Sequence, residues 1–484
     1  MLVLMRRHLP LALFTLLAGC MSAEPRPLDP VKSEADFRAR SLGEPGLKSY
    51  VESRLTRKPA AFPPFPPASW DLETLTLVAF YYHPDIEVAR ARVERTLAAQ
   101  VTAGAVPNPV VGGGIQYNFD LPRSISPWTY DLILEIPVEV GGKRWYRKEQ
   151  ARQLSEAARL ELAEAGWQVY RRVRDALQAH LISALEEEAS RSWLEALQAS
   201  ESLLAKKLAQ GAVARPVVDS ASLDVAEARL RHLAASGRKK GAFADLAAAL
   251  GLTAAAVENL NFSADGPDKV PSPENIPLST LQPAGLVNRL DLRHLLAEYA
   301  AAEAALQIEI AKQYPDLKLA PGYVWEEGQK KFRVGLALEL PILNQNQGPI
   351  LEALGRRSEV GAKFVALQSS VIGDMESARA EYRSAWDELK EADRIATGFE
   401  ASEATVRRAV EVGAEDPLDL ARSRARTAFA RLSRIESLRR MQLALGGLED
   451  ALQRPLDPSF GLPAEPLQVL GEPGPEAETK EISE

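Results

Sequence analysis

The chain has 484 residues, a formal net charge of -8 and 26% charged residues. That acidic balance argues against nucleic acid as a partner, and a lone cysteine, Cys20, excludes a disulfide framework in the mature protein. Length alone suggests about three domains, but an internal repeat argues instead for one body made of two similar halves.

The chain opens with Arg6 and Arg7, then an apolar run from Leu9 to Leu17 that is too short to span a bilayer. Leu17-Ala18-Gly19-Cys20 follows and resembles a bacterial lipobox, in which the cysteine thiol carries the lipid and small residues admit the peptidase. Residues 1–19 therefore read as a lipoprotein signal peptide and Cys20 as the lipidated residue; the alternative is an ordinary secretory signal. Met21 stands where an inner-membrane lipoprotein commonly carries Asp, so the resemblance implies the outer membrane. Residues 20–69 are rich in proline and charge and read as an extended, lipid-anchored segment.

The first repeat is expected over residues 70–260. Helical periodicity starts at Asp71 and continues to about Gly104, where Pro107-Asn108-Pro109 stops it. A strand follows, with Val111, Gly113, Ile115, Tyr117 and Phe119 on one face. Asp120 to Ser126 reads as a loop. Trp128 to Pro137 is the clearest strand: Trp128, Tyr130, Leu132, Leu134 and Ile136 alternate with Thr129, Asp131 and Glu135. The aromatics gather at the loop end, where an interfacial girdle would sit. No proline interrupts Lys143 to Gln210, which predicts on the order of 100 Å of helix. Its apolar steps average roughly 3.7 residues, nearer a straight helix than a left-handed coiled coil. Gly211 to Pro216 breaks it, and a return helix runs to Leu250, closed by Gly251.

Residues 261–283 read as a linker, and residues 284–452 repeat the pattern. Leu286 to Gln313 matches the first helix. A strand begins at Pro315, Glu326 to Lys331 is the loop, and Phe332 to Pro341 is the twin of the clearest strand, both ending in Leu-Glu-Ile/Leu-Pro. The second long helix runs from Asn344 to about Val412. Gly413 to Pro417 breaks it, and the return helix ends near Leu445. Residues 453–484 read as a disordered acidic tail.

Four strands cannot close a membrane barrel, and open edges in lipid leave backbone groups unsatisfied. Three copies would supply about twelve strands, within the usual range. Asp131, Glu135, Lys318, Arg333 and Glu339 would then face a water-filled lumen. The long helices carry too many charges for lipid, as in Arg171-Arg172-Val173-Arg174-Asp175, and must stand in water. A soluble sheet of two hairpins, or a free coiled-coil rod, would explain the strands or the helices separately.

This order of elements resembles the TolC-like outer-membrane factors. The resemblance is carried by the duplicated strand–loop–strand between helices, by His83-Pro84-Asp85, by Glu339 to Gly348, and by the breaks at 211 and 413. The Leu-Pro-Ile-Leu-Asn-Gln-Asn-Gln-Gly run looks like the heavy-metal efflux branch. The resemblance implies a mainly α fold with a small β part: a homotrimer with a twelve-stranded β-barrel in the outer membrane, continued by an α-barrel through the periplasm. It implies a passive exit duct, not an enzyme, for metal ions or small organic compounds. Its partners would be a periplasmic adaptor, an inner-membrane transporter of the resistance–nodulation–division type, and outer-membrane lipid. Gly211, Pro216, Asp219, Gly413, Glu415, Asp416 and Asp419 would mark the periplasmic tips, where the adaptor docks and carboxylates ring the entrance. The alternative is a periplasmic adaptor or a structural coiled-coil lipoprotein. The five histidines, His8, His83, His180, His232 and His294, show no metal-ligand spacing, and no cofactor motif is present.

Overall fold

The structure is a computed structural model that describes residues 23–55, 65–258, 260–262, 267–276 and 278–456. The chain divides into two units, Met1–Ser41 and Leu42–Glu484. The first contains helix α1 (Pro30–Ala39), begun by Asp29, whose carboxylate accepts the N–H of Val31 at 2.9 Å. The second contains everything else, starting with α2 (Pro45–Arg54). These two helices occupy part of the segment read from sequence as extended. Pro30 and Pro45 stand at helix starts, where a missing N–H does no harm and the fixed φ helps.

The first repeat runs α3 (Leu72–Tyr82), α4 (Pro84–Gly104), β1 (Val110–Tyr117), β2 (Trp128–Val138), α5 (Lys143–Ala209), α6 (Arg215–Ala249) and the short α7 (Ala254–Val257). The second runs α8 (Leu278–Asn288), α9 (Leu290–Ala311), β3 (Leu317–Glu326), β4 (Gln329–Leu338), α10 (Gln347–Glu411) and α11 (Pro417–Leu452). The strands form one antiparallel sheet in the order β1-β2-β3-β4, so β2 and β3 join the two repeats. No described helix is long and apolar enough to cross a membrane.

Three local features differ from the sequence reading, each for a physical reason. The first helix is two helices, because Pro84 forces His83 out of the helical region to ψ 125. The return helix of the second repeat continues through Gly446 and Gly447 to Leu452 rather than stopping near Leu445. The loop of the second hairpin is shorter than expected. Glu326 already pairs with Gln329, and Glu327 and Gly328 adopt positive φ in a tight two-residue turn.

Each repeat has its own core. In the first, Leu75, Val78 and Phe80 of α3 meet Val169 and Val173 of α5 and Leu246 and Leu250 at the end of α6. In the second, Met375, Tyr382 and Leu389 of α10 meet Leu438, Met441 and Leu448 of α11. Between them, Ala157, Ala163, Trp167 and Tyr170 of α5 pack on Leu290 and Ala297 of α9. Small residues let those helix axes approach closely.

A polar clamp locks this seam. The Arg171-Arg172-Val173-Arg174-Asp175 run of α5 sends its side chains in different directions. Arg172 hydrogen-bonds Asp85 at the start of α4. Arg171 donates to Asp450 Oδ2 at 2.6 Å and Trp167 Nε1 to Asp450 Oδ1 at 2.9 Å. Arg174 pairs with Glu449 inside the protein and with its neighbour Asp175. Burial alone would favour a neutral Arg174, but the carboxylates of Glu449 and Asp175 outweigh it and hold the guanidinium charged. Burial also pushes the Glu449 carboxyl above its ordinary range, against the pull of Arg174. Gly446 is part of this arrangement, since a Cβ there would run into the Arg174 guanidinium.

Truncating one partner strands a buried charge, so Glu449→Ala should destabilise the protein by about 3–5 kcal/mol. The paired change Arg174→Met with Glu449→Met should lose much less. Denaturation midpoints in detergent test this. A single variant as stable as the unaltered protein would show that the pair does not hold the repeats together.

Candidate functional site

The sheet has one apolar face and one polar face. The apolar face collects Val111, Ile115 and Tyr117 of β1, Trp128, Tyr130 and Leu132 of β2, Leu319 and Tyr323 of β3, and Phe332, Val334 and Leu336 of β4; the cross-strand register places them together. It is bare: Leu132 is 57% exposed, Phe332 75% and Val334 68%. Helices pack on helices, strands on strands, and no described helix lies across either face. β1 and β4 are the outer strands, and each leaves one row of backbone groups without a partner strand among the described residues. Open edges on an apolar, exposed sheet are the kind of surface on which further strands pair.

Aromatic rings form a row across the loop end. Centroids lie 4.9 Å apart for Tyr117 and Trp128, 6.2 Å for Trp128 and Tyr130, and 5.4 Å for Tyr130 and Trp325. The opposite end carries a second aromatic level that the sequence reading missed. Trp145 (63% exposed) and Tyr314 (60% exposed) stand just beyond the strands, on α5 and after α9. The signal was the run Lys143-Arg144-Trp145-Tyr146-Arg147-Lys148, basic and aromatic together, but it falls in a helix rather than a strand.

The polar face carries Asp131, Glu135, Lys318 and Arg333, at register positions opposite Gly114, Val110, Ala337 and Gly322. Glu135, Lys318 and Arg333 are exposed. Asp131 leans over Gly114, where an added Cβ would come within 2.6 Å of its Oδ1. Glu339 lies one residue past β4, at the rim of a recess of about 690 Å³ that Lys143, Asp316 and Lys318 also line.

Both strand-to-helix joints rest on the end of α9. At the first, Gly141 and Gly142 take positive φ, Gly141 sits against the Ala311 carbonyl and Tyr314, and Asp316 accepts from the Val140 N–H at 3.1 Å and Lys143 Nζ at 2.8 Å. Arg147 closes this joint with two hydrogen bonds to Glu139, at 2.5 and 2.9 Å. At the second, Asn346 takes positive φ and donates to the Glu309 carbonyl at 2.7 Å.

The far ends of the long helices are two near-identical turns. Gly211 has φ +73 and Gly413 φ +77. Ala212 N–H donates to the Lys207 carbonyl at 2.9 Å and Ala414 N–H to the Ala409 carbonyl at 2.8 Å, the six-to-one closure of a Schellman end. Pro216 and Pro417 open the return helices. Asp416 ties the turns together: it caps α11 by accepting from the Leu418 N–H at 2.8 Å and it pairs with Lys207 of α5. The hydrogen bond from Lys207, helped by the Leu418 N–H, holds its carboxyl below the ordinary range. Asp219 lies 3.3 Å from Arg215, and Asp419 lies 4.0 Å from Arg422. Glu415 is exposed. Three of the four carboxylates singled out in the sequence thus have a cation alongside. Between the hairpins above the turns lies a groove of about 1010 Å³, lined by Trp193, Leu204, Val217, Ile395, Phe399 and Phe429. Among the described residues no group of His, Cys, Asp and Glu could hold a metal ion. Cys20 lies outside the described residues.

Residues 79–252 match the family of outer membrane efflux proteins. The cobalt-zinc-cadmium resistance protein CzcC of Cupriavidus metallidurans is 22% identical over 293 residues, 60% of this chain and 68% of that protein. The outer membrane protein VceC of Vibrio cholerae superposes with a TM-score of 0.63 at 16% identity, covering 79% of this chain and 95% of that one. The CmeC outer membrane channel of Campylobacter jejuni gives a TM-score of 0.63 at 13% identity, covering 90% of each chain. The mainly helical duplicated fold is therefore that of TolC-like outer-membrane channels.

Because its carboxyl is held below the ordinary Asp value of 3.8, the Asp416 link is complete above that pH and is lost as pH falls through the lowered value. Asp416→Asn keeps a capping oxygen but removes the charge. Backbone amides around Gly413 should then exchange faster than in the unaltered protein at neutral pH, and that difference should shrink at a pH well below the ordinary Asp value, where the Asp416 carboxyl is protonated. An equal difference at both pH values would mean that the ion pair is not what holds the turns.

Proposed function

We propose, on the premise that residues 79–252 belong to the outer membrane efflux protein family, that this chain is the outer-membrane exit duct of an export system. The observation that carries the reading is the four-stranded sheet with an exposed apolar face and, among the described residues, both outer edges unpaired. In lipid every backbone polar group needs a partner, so only closure by further copies satisfies such edges. Three copies bring about twelve strands, enough for a barrel with a water-filled interior. The apolar row then meets lipid, and Asp131, Glu135, Lys318, Arg333 and Glu339 face the lumen.

The long helices continue the duct through the periplasm, and Cys20 is its lipid anchor. The turns at Gly211–Pro216 and Gly413–Pro417, with Asp219, Glu415, Asp416 and Asp419, form the entrance. There the groove between the hairpins receives a periplasmic adaptor, which links the duct to an inner-membrane pump of the resistance–nodulation–division type. The chain supplies a path and no chemistry; the pump supplies the energy. The likeness to a protein named for cobalt, zinc and cadmium resistance favours metal ions over small organic compounds as cargo.

Leu132 lies in the middle of the exposed face, between Gly113 and Tyr323. Leu132→Arg should oppose insertion by about 2–4 kcal/mol and remove the protein from outer-membrane fractions, while Asp131→Asn should assemble and change single-channel conductance. Light scattering of detergent-extracted protein should give the mass of three chains. A monomeric particle, or normal insertion of Leu132→Arg, would defeat the reading.

A further inference from the structure

The first turn of α5 holds a patch that the duct reading leaves unused. Arg144 and Lys148 are both exposed and flank Gly104, the last residue of α4. Arg144 Nε donates to the Gly104 carbonyl at 2.7 Å. The Lys148 stem runs beside the same glycine, where an added Cβ would lie 3.9 Å from its Cδ. In the same turn Lys143 pairs with Asp316 and Arg147 with Glu139, whereas no carboxylate among the described residues lies within ion-pair distance of Arg144 or Lys148. Apolar surface accompanies the two cations: Trp145 is 63% exposed, Val101 78% and Val106 59%.

Position supplies the second half of the argument. From Trp128 to Val138, β2 rises about 3.3 Å per residue, or ~33 Å along the strand; a barrel tilt of ~40° leaves roughly 25 Å of height, the thickness of an outer-membrane apolar band. Trp128 marks one limit of that band. Gly141-Gly142 turns the chain directly from β2 into α5, so Trp145 stands at the other limit. Side chains with an apolar body and a polar end settle at such a boundary, and unpaired cations beside it attract anionic headgroups. The positive end of the α5 dipole adds to the attraction.

We infer that Arg144, Trp145 and Lys148 form a docking site for the phosphate headgroups of anionic phospholipid in the periplasm-facing leaflet. The inference rests on the membrane reading of the sheet. Two cations without counter-charges select an anionic lipid over a zwitterionic one, by about 5-fold for each basic side chain at low salt. The indole lies at the level of the first acyl carbons.

The test uses full-length protein reconstituted into vesicles of phosphatidylcholine containing phosphatidylglycerol. In one set the phosphatidylglycerol chains carry bromine, which quenches nearby tryptophan; in the other an equal amount of the phosphatidylcholine does. The Trp145 contribution is the difference from Trp145→Phe. The anionic set should quench Trp145 at least ~3-fold more strongly, and high salt should abolish the preference. Arg144→Gln with Lys148→Gln should bring the ratio near one, with quenching by brominated phosphatidylcholine unchanged. A ratio near one for the unaltered protein, with clear quenching by both lipids, overturns the headgroup site while leaving the barrel intact. If the double variant also loses its assembled mass, the patch belongs to a neighbouring copy, which likewise overturns the lipid assignment. Absence of quenching of every tryptophan by either lipid would instead overturn the membrane reading itself.

Discussion

The pairing of Arg174 with Glu449 is the buried ionic link between the two repeats, set beside the apolar seam of α5 and α9 and added to the pairing of β2 with β3. Ions are costly to bury, and they persist only where every charge is answered. Glu449 receives Arg174 on one side and the Leu456 N–H at 2.7 Å on the other. Arg174 also has Asp175. Around them, Arg289 donates to the Ala451 carbonyl at 2.5 Å, and the Gln453 side chain accepts from the Leu290 N–H at 2.7 Å. One turn of α5 therefore meets α4 of its own repeat and α11 of the other. Because α5 is a continuous rod, fixing it there orients both its sheet end and its distal turn.

The sheet depends on that rod for support, yet it touches the helices only through narrow joints. Gly141, Gly142 and Asn346 let the chain swing from strand to helix, and the end of α9 supports both swings. Among the described residues no helix folds back over the strands. An apolar face left bare in this way is a poor surface for water and a suitable one for lipid. The distal turns show the opposite economy. Their backbone groups are satisfied locally by Schellman closures, so each hairpin is complete in itself, and the hairpins meet there through the single described ion pair of Lys207 with Asp416.

Much of this was legible without coordinates, because it is periodic. Alternation in Trp128 to Ile136 set the two faces of β2, and the register confirms which side chains share each face. Gly211 and Gly413 announced helix ends because a left-handed residue is needed there. Other features escaped because they depend on partners distant in the chain. Nothing local told that Gly446 would stay helical while Gly251 ended a helix. Gly251 takes φ +70 with the Tyr82 carbonyl against it, whereas Gly446 makes room for Arg174. The acidic residues at the turns were visible one by one, and Arg215 and Arg422 stand within a helical turn of Asp219 and Asp419, but the cation of Asp416 was not visible, since Lys207 reaches it from another hairpin. Trp145 sits on a helix, where the alternation that marks the strand aromatics does not reach.

The sequence by itself determined the order of elements, their duplication and the two-faced character of the strands. These follow from spacing, from proline and glycine, and from the side-chain alternation of a pleated chain, all of which act within a few residues. The tertiary structure alone decided which charges are answered: that Arg174 meets Glu449, that Asp416 meets Lys207, and that Arg144 and Lys148 have no carboxylate beside them among the described residues. A contact ion pair needs its charged atoms within about 4 Å, and only the folded chain brings residues hundreds of positions apart to that distance.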